Sequence, residues 1–282
     1  MHELSLVDTT FQKEKTEQYY LSIQADLNGF SFCLYDNQQK KHVVFRKYVL
    51  HTNQLIENFL KKLEDIFKTD DLLSLPYASS DFMFLSQKST LIPDAYFDKN
   101  LLKSYFEFNQ TLDALDEIHY NYIPYIDAYN VFTLHNYVAT AVSHHIKGIK
   151  FYHQALPFIE KTMEYADARQ KQIVAVGLNH VFFDILVCNG NKLKLYNTFQ
   201  YAGPTDLLYF ILFICKQCEI DPAQQELLLS GELSEILTYR DAIREYIPGM
   251  KDMKGEGIDL SDGLARIKES KYFNLLNLIS CE

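Results

Sequence analysis

Between Tyr19 and Leu50 the chain alternates short apolar runs with turn-forming residues, the pattern of a strand meander. Tyr19 to Gln24 is largely apolar, and Ala25-Asp26-Leu27-Asn28-Gly29 supplies turn chemistry. Phe30, Phe32 and Leu34 alternate with smaller or polar residues, as a half-buried strand requires. Asp36-Asn37-Gln38 makes the next turn, and Val43 to Leu50 reads as a third strand. The period then lengthens. Leu55, Ile56, Phe59, Leu60 and Leu63 form one face of a helix, for which Thr52 or Asn53 can serve as the cap.

The same grammar returns far downstream. Gln172 to Val176 reads as a strand, Gly177-Leu178-Asn179-His180 as a turn, and Val181 to Val187 as a second strand. Asn189-Gly190-Asn191 is a hairpin turn, Leu193 to Tyr201 the third strand, and Gly203-Pro204-Thr205-Asp206 opens a helix that tolerates proline in its first turn. Setting Asn179 on Asn28 gives an offset of 151 residues, which matches Phe32 with Phe183 and Leu34 with Ile185. Such recurrence of whole elements in order points to internal duplication.

Both units also continue alike. Phe82-Met83-Phe84-Leu85 and Leu227-Leu228-Leu229-Ser230-Gly231 are short apolar strands that follow helices, as parallel strands reached by right-handed crossovers do. Ile126 to Leu134 and Ile149 to Leu156 are further strands, leading into helices over Asn136 to Ile146 and Pro157 to Ala168. This reading places a lobe boundary at Lys147-Gly148, dividing the chain into lobes of residues 1–147 and 148–282.

Composition narrows the function classes. The 282 residues are 48% hydrophobic and 23% charged, enough to build an ordinary globular core, with 20 Tyr and 20 Phe but no Trp. The net charge of −10 repels phosphate backbones, and Lys40-Lys41-His42 reads as a solvated hairpin tip, so nucleic acid is not an expected partner. The five cysteines lack a disulfide-framework spacing, and Cys215-Lys216-Gln217-Cys218 lies near the end of an apolar helix, where a packed pair fits better than a redox or zinc site. Met1-His2-Glu3-Leu4 lacks the features of a signal peptide, and the apolar run Leu207 to Cys215 falls short of the roughly 20 residues a bilayer requires. A cytoplasmic protein without a membrane span is therefore expected.

Two copies of a three-strand meander, each followed by alternating helices and strands, resemble the actin-like ATPase fold, which duplicates an RNase H-like domain. The chain as a whole looks like a bacterial family of unknown function assigned to that fold, similar in fold to pilus-assembly and cell-division actin-like proteins. The resembling stretches are Leu21 to Leu50, Ser89-Thr90-Leu91-Ile92-Pro93 with Tyr105 to Asn109, and Gln172 to Gly231. The resemblance implies an α/β protein of two RNase H-like lobes, each with a mixed five-stranded sheet flanked by helices. It further implies a cleft between the lobes where ATP and Mg²⁺ would sit, held by the first hairpin loop of each lobe. Such loops need an Asp for hydrated metal, and glycines that let backbone N–H groups approach phosphate. By that resemblance the nucleotide-side positions are Asp26, Asn28 and Gly29 in the first lobe, Gly177 and Asn179 in the second, and Gly231 on the adenosine side. Only the first loop carries an acid, and Glu232 after Gly231 would repel phosphate. Asn28-Gly29 is equally the preferred pair of a tight hairpin turn.

Other chemistries find little support. His144-His145 point to different sides of a helix, and His119, His135 and His153 have no partner at metal-binding helical spacing. A two-metal nuclease needs several converging acids, whereas Asp26 and Asp184 give one for each lobe. Gly255-Glu256-Gly257 reads as a loop, and Tyr120-Asn121-Tyr122-Ile123-Pro124-Tyr125 as either a packing cluster or an exposed patch for a partner. The expectation is a non-catalytic scaffold or partner-binding protein with a degenerate nucleotide cleft and no catalytic or metal-ligating residues. The alternative is a Mg-ATP-binding protein with weak ATPase or kinase-like activity through Asp26.

Overall fold

The computed structural model describes residues 3–53, 55–232, 236–255, 257 and 259–281. The first half runs β1 (Leu4–Val7), β2 (Tyr19–Ala25), β3 (Gly29–Asp36), β4 (Lys41–Val49), α1 (Ile56–Thr69), β5 (Ser79–Phe84) and β6 (Ser89–Pro93). It continues through α2 (Leu102–Glu107), β7 (Asp116–Ile123), β8 (Ala128–His135), α3 (Asn136–His145) and β9 (Lys150–His153). After α4 (Ala155–Arg169) come β10 (Gln172–Leu178), β11 (Phe182–Asn189), β12 (Lys192–Gln200) and α5 (Pro204–Gln217). The chain closes with β13 (Leu227–Gly231), α6 (Leu237–Tyr246), β14 (Met250–Asp252) and α7 (Phe273–Asn277).

These elements build two main mixed sheets. The first has the order β1-β4-β3-β2-β5-β9 and the second β12-β11-β10-β13-β14. In each, an antiparallel meander is extended by parallel strands, β5 and β9 in one and β13 and β14 in the other. The duplication is thus visible as the same strand order, with β1 added at one edge as a sixth strand. β6, β8 and β7 form a separate three-stranded antiparallel sheet, inserted in sequence between β5 and β9. β9, beyond the Lys147-Gly148 boundary, pairs with β5 in the first sheet.

The register of the duplication differs from the sequence alignment. Ala25 pairs with Phe30, and in the second unit Leu178 pairs with Phe183, an offset of 153 (178 − 25). Phe30 therefore matches Phe183, and Phe32 matches Ile185. In the third strands Val49 stands opposite Gly29 and Gln200 opposite Phe182, which restores 151 (200 − 49). The change arises because four residues join β3 to β4 and only two join β11 to β12. A slip of two keeps every side chain on its original face, so the hydrophobic pattern does not register it.

One face of the first sheet packs Phe30, Phe32 and Leu34 against Phe59 and Leu63 of α1 and Val138 of α3. The opposite face holds Cys33 and Phe45 against Tyr272, Leu275 and Leu276 near the C-terminus. The second sheet is covered by α5 through Leu207 and Ile211 on one face, and by α4 through Phe158, Ile159 and Met163 on the other. Leu264, Ile267, Tyr272, Leu275 and Leu276 thus follow the second unit in sequence while packing on the first sheet, and Phe273 among them joins the core of the second unit. No helix among the described residues is long and apolar enough to cross a membrane. Cys33, Cys188, Cys215 and Cys218 are unpaired, and burial pushes the Cys215 thiol up to about 11. Glu256 of the Gly255–Gly257 segment lies outside the described residues.

Candidate functional site

The first hairpin loops of the two units face each other across a cleft. Asp26, Leu27 and Asn28 follow β2, and Asn179, His180 and Val181 follow β10. A cavity of about 440 Å³ lies between them, lined by Asp26, Asn28, Lys88, His180 and Gln200 among others. Thr52, which the sequence offers as a helix cap, instead donates its hydroxyl to the Leu27 carbonyl at 2.5 Å, while α1 begins without a side-chain cap. That bond ties the loop to the chain leaving β4.

Asp26 turns its carboxylate back onto its own loop. Its Oδ1 accepts the N–H groups of Asn28 and Gly29, both at 2.7 Å. Burial holds this carboxyl above the usual carboxylate range, against the lowering effect of those two donors and of nearby His180. The loop amides that a phosphate would approach are therefore already bonded to an acid. In the second unit Asn179 occupies the position of Asp26: Asn179 N–H bonds to Phe182 O as Asp26 N–H bonds to Gly29 O, each at 3.0 Å. Gly177 is not in the loop. It lies inside β10 opposite Asp184, where a Cβ would come within 3.2 Å of the Phe158 ring.

The loop after β13, for which the sequence suggests an adenosine-side role, is closed more tightly still. Gly231 has φ +96°, and an added Cβ would meet the Leu178 carbonyl at 2.1 Å, so only glycine fits this crossing of β13 and β10. Gly231, Asn179 and Asp26 share a crevice of about 10 Å³ with Lys271, Phe273 and Asn274 from the C-terminal segment. That is room for about one water molecule. The neighbouring Glu232 forms an ion pair with Lys47 of β4, which joins the two halves across the cleft.

A second polar junction lies beneath the cavity. Gln154, in the link between β9 and α4, accepts the Ser86 N–H at 3.1 Å and donates to the Ser86 carbonyl at 2.5 Å. The same amide nitrogen reaches Asp184 Oδ2 at 3.5 Å. His153 Nδ1 accepts the Ala155 N–H at 3.2 Å, which leaves Nε2 to donate to Ser86 O at 3.0 Å. Burial lowers His153 to about 3, so the ring is neutral. Asp184, 1% exposed in an otherwise apolar strand, accepts Tyr196 Oη at 2.9 Å and Thr198 Oγ1 at 2.8 Å. Burial pushes its carboxyl up to about 6 despite these donors. Sequence reasoning weighed Asp184 only as a metal ligand, and here its donors hold it in the interior. Among the described residues no group of three or more His, Cys, Asp or Glu is placed to hold a metal ion.

A family described as "Protein of unknown function (DUF3822)" matches residues 8–250. The chain belongs to this DUF3822 family. Among solved structures, a Bacteroides thetaiotaomicron VPI-5482 protein with an actin-like ATPase fold and unknown function aligns with a TM-score of 0.83 at 22% identity, covering 97% of this chain and 100% of that one. The PilM–PilN type IV pilus biogenesis complex aligns with a TM-score of 0.62 at 8% identity, covering 93% and 98%. No curated protein matches the chain. This DUF3822 protein therefore has the actin-like ATPase fold. Within it, Asp26, Asn28, Asn179 and Gly231 come together at the cleft, Gly29 completes the first loop, and Gly177 stands apart in its strand. The residues that sequence reasoning missed, Ser86, Gln154 and Gln200, are neutral side chains at element ends with no distinguishing spacing.

Proposed function

We propose that this protein works by binding a partner protein rather than by turning over ATP, its nucleotide cleft having become a structural junction. The observation that carries this reading is the Asp26 carboxylate bonded to the Asn28 and Gly29 amides. A phosphate arriving there would displace those bonds and meet a like charge. The crevice of about 10 Å³ beside Gly231 points the same way, since it leaves no volume for a nucleoside. The PilM–PilN structure, a complex with the same fold, offers an analogy for a protein partner.

The second reading, Mg-ATP binding with weak ATPase or kinase-like activity, draws on the cavity of about 440 Å³ that Asp26 borders. Equilibrium dialysis of the full chain against labelled ATP with Mg²⁺ separates the two, together with an assay for released phosphate. The partner-binding reading expects neither retention nor phosphate release above buffer. Saturable retention of ATP would replace it with the second reading.

A further inference from the structure

We infer that the groove between β6 and β12 takes an extended, positively charged peptide segment of a partner protein, added as a strand on the β12 edge. This deepens the partner-binding reading and rests on it.

Two strand edges border one groove. β12 ends the second sheet and β6 ends the three-stranded sheet. Ser89, Thr90 and Leu91 of one and Tyr196, Asn197 and Thr198 of the other line a cavity of about 290 Å³. Gln87 and Gln110 border both this cavity and the larger one of about 440 Å³, so the two form a continuous channel. An edge strand offers a row of main-chain donors and acceptors, the recognition surface for a segment that adds by strand pairing.

The edge groups are engaged by short side-chain amides. Asn197 Oδ1 accepts the Thr198 N–H at 2.8 Å, which shows that this N–H points away from β11. By the alternation of an antiparallel ladder, Tyr196 and Gln200 then turn their main-chain groups outward too. Across the groove, Gln110 Nε2 donates to the Ser89 carbonyl at 3.3 Å. These amides supply the contacts a peptide backbone would make, from side chains at the surface. β9 is sealed differently: Asn121 spans its Phe151 carbonyl at 3.0 Å and His153 N–H at 3.2 Å, and β7 packs beside it.

Charge is arranged to match. Lys192 and Lys194 guard the far half of β12, whereas Leu195 to Gln200, the half along the channel, carries no charge. Where the channel widens, the three acids Asp26, Asp113 and Asp116 outnumber the one lysine, Lys88. Asp26 borders it, and the Lys88 ammonium there is held by Asp113 and by Asp116 at 3.1 Å. With a net charge of −10 overall, a segment carrying Lys or Arg toward the Asp26 end is the complementary occupant.

The test is to select a random dodecapeptide display library on the full chain and resynthesise the enriched peptides with single N-methylated amides. Methyl groups on alternate amides, those facing the β12 edge, should weaken binding at least about tenfold, and those on intervening amides should leave it nearly unchanged. Asn197→Lys, at an exposed position, should weaken the same peptides while melting like the unmodified chain. Binding that ignores the methylation register or survives Asn197→Lys overturns the edge inference yet keeps the protein a peptide binder. A library that yields no binder also overturns it, and the ATP measurements then judge the partner-binding reading separately.

Discussion

Asp26 Oδ1 accepts the Gly29 N–H at 2.7 Å, so the acid of the first hairpin loop caps the backbone amide that a bound phosphate would otherwise need. An acid at this place serves a nucleotide only if it faces the cleft and leaves the loop amides open. Here it closes the loop on itself, and Asn179 stands at the equivalent place in the second unit.

Removing that cap should cost stability. Asp26→Ala deletes an acceptor for two N–H groups and is expected to lower the unfolding free energy by about 1–3 kcal/mol, read from the urea midpoint. Asp26→Asn keeps an oxygen acceptor and removes a charge that burial disfavours, and should stay within about 1 kcal/mol of the parent chain. Equal losses in both variants would show that the loop depends on the charge rather than on the bonds.

Gly231→Ala should be severe. The residue has φ +96° and its Cβ would lie 2.1 Å from the Leu178 carbonyl, so β13 and β10 could not keep their spacing. We expect a loss of more than about 3 kcal/mol, or failure to accumulate folded protein, judged by circular dichroism and chemical denaturation.

Asp184 gives a pH signature. Its carboxyl is raised from 3.8 to about 6 by burial, so the native state favours the protonated form. Its stabilising contribution is present below about pH 4 and is lost as pH rises through about 6, a change of about 3 kcal/mol. Asp184→Asn mimics the neutral form and still accepts from Tyr196 and Thr198. The variant should exceed the parent in stability by about 1–3 kcal/mol at pH 8 and lose that advantage near pH 4. Parallel stability curves from pH 4 to pH 8 would refute the shift.

Phe273 is 1% exposed and packs with Leu228 and Met253 while its segment borders the crevice beside Gly231. Phe273→Ala should cost about 3–5 kcal/mol in urea unfolding, as large-to-small changes at close-packed aromatic sites do. A loss under about 1 kcal/mol would mean that this segment is only loosely docked.

Much of the fold was legible because Phe30, Phe32 and Leu34 repeat their alternation in Phe183, Ile185 and Val187. The match of Asn28 to Asn179 was two residues out over the first two strands, since a shift of two leaves every side chain on its face. Gly177 therefore read as a loop residue although it lies in β10. Asp184 carried a signal, an acid within an apolar strand, but its role depends on Tyr196, Thr198, Asn179 and Gln154, which only the tertiary fold gathers. Thr52 looked like a helix cap because capping and bonding to Leu27 O use the same hydroxyl. The return of Leu264, Ile267, Tyr272, Leu275 and Leu276 to the first sheet rests on long-range contacts that no local period reveals.

The central claim, that the cleft is a structural junction and not a nucleotide site, is tested most directly by thermal melting of the full chain in increasing Mg-ATP. A ligand that binds only the folded state raises stability by RT ln(1 + [L]/Kd). With the Asp26 carboxylate on the loop amides, the melting temperature should not change up to millimolar ATP. A saturable rise within that range would contradict the account.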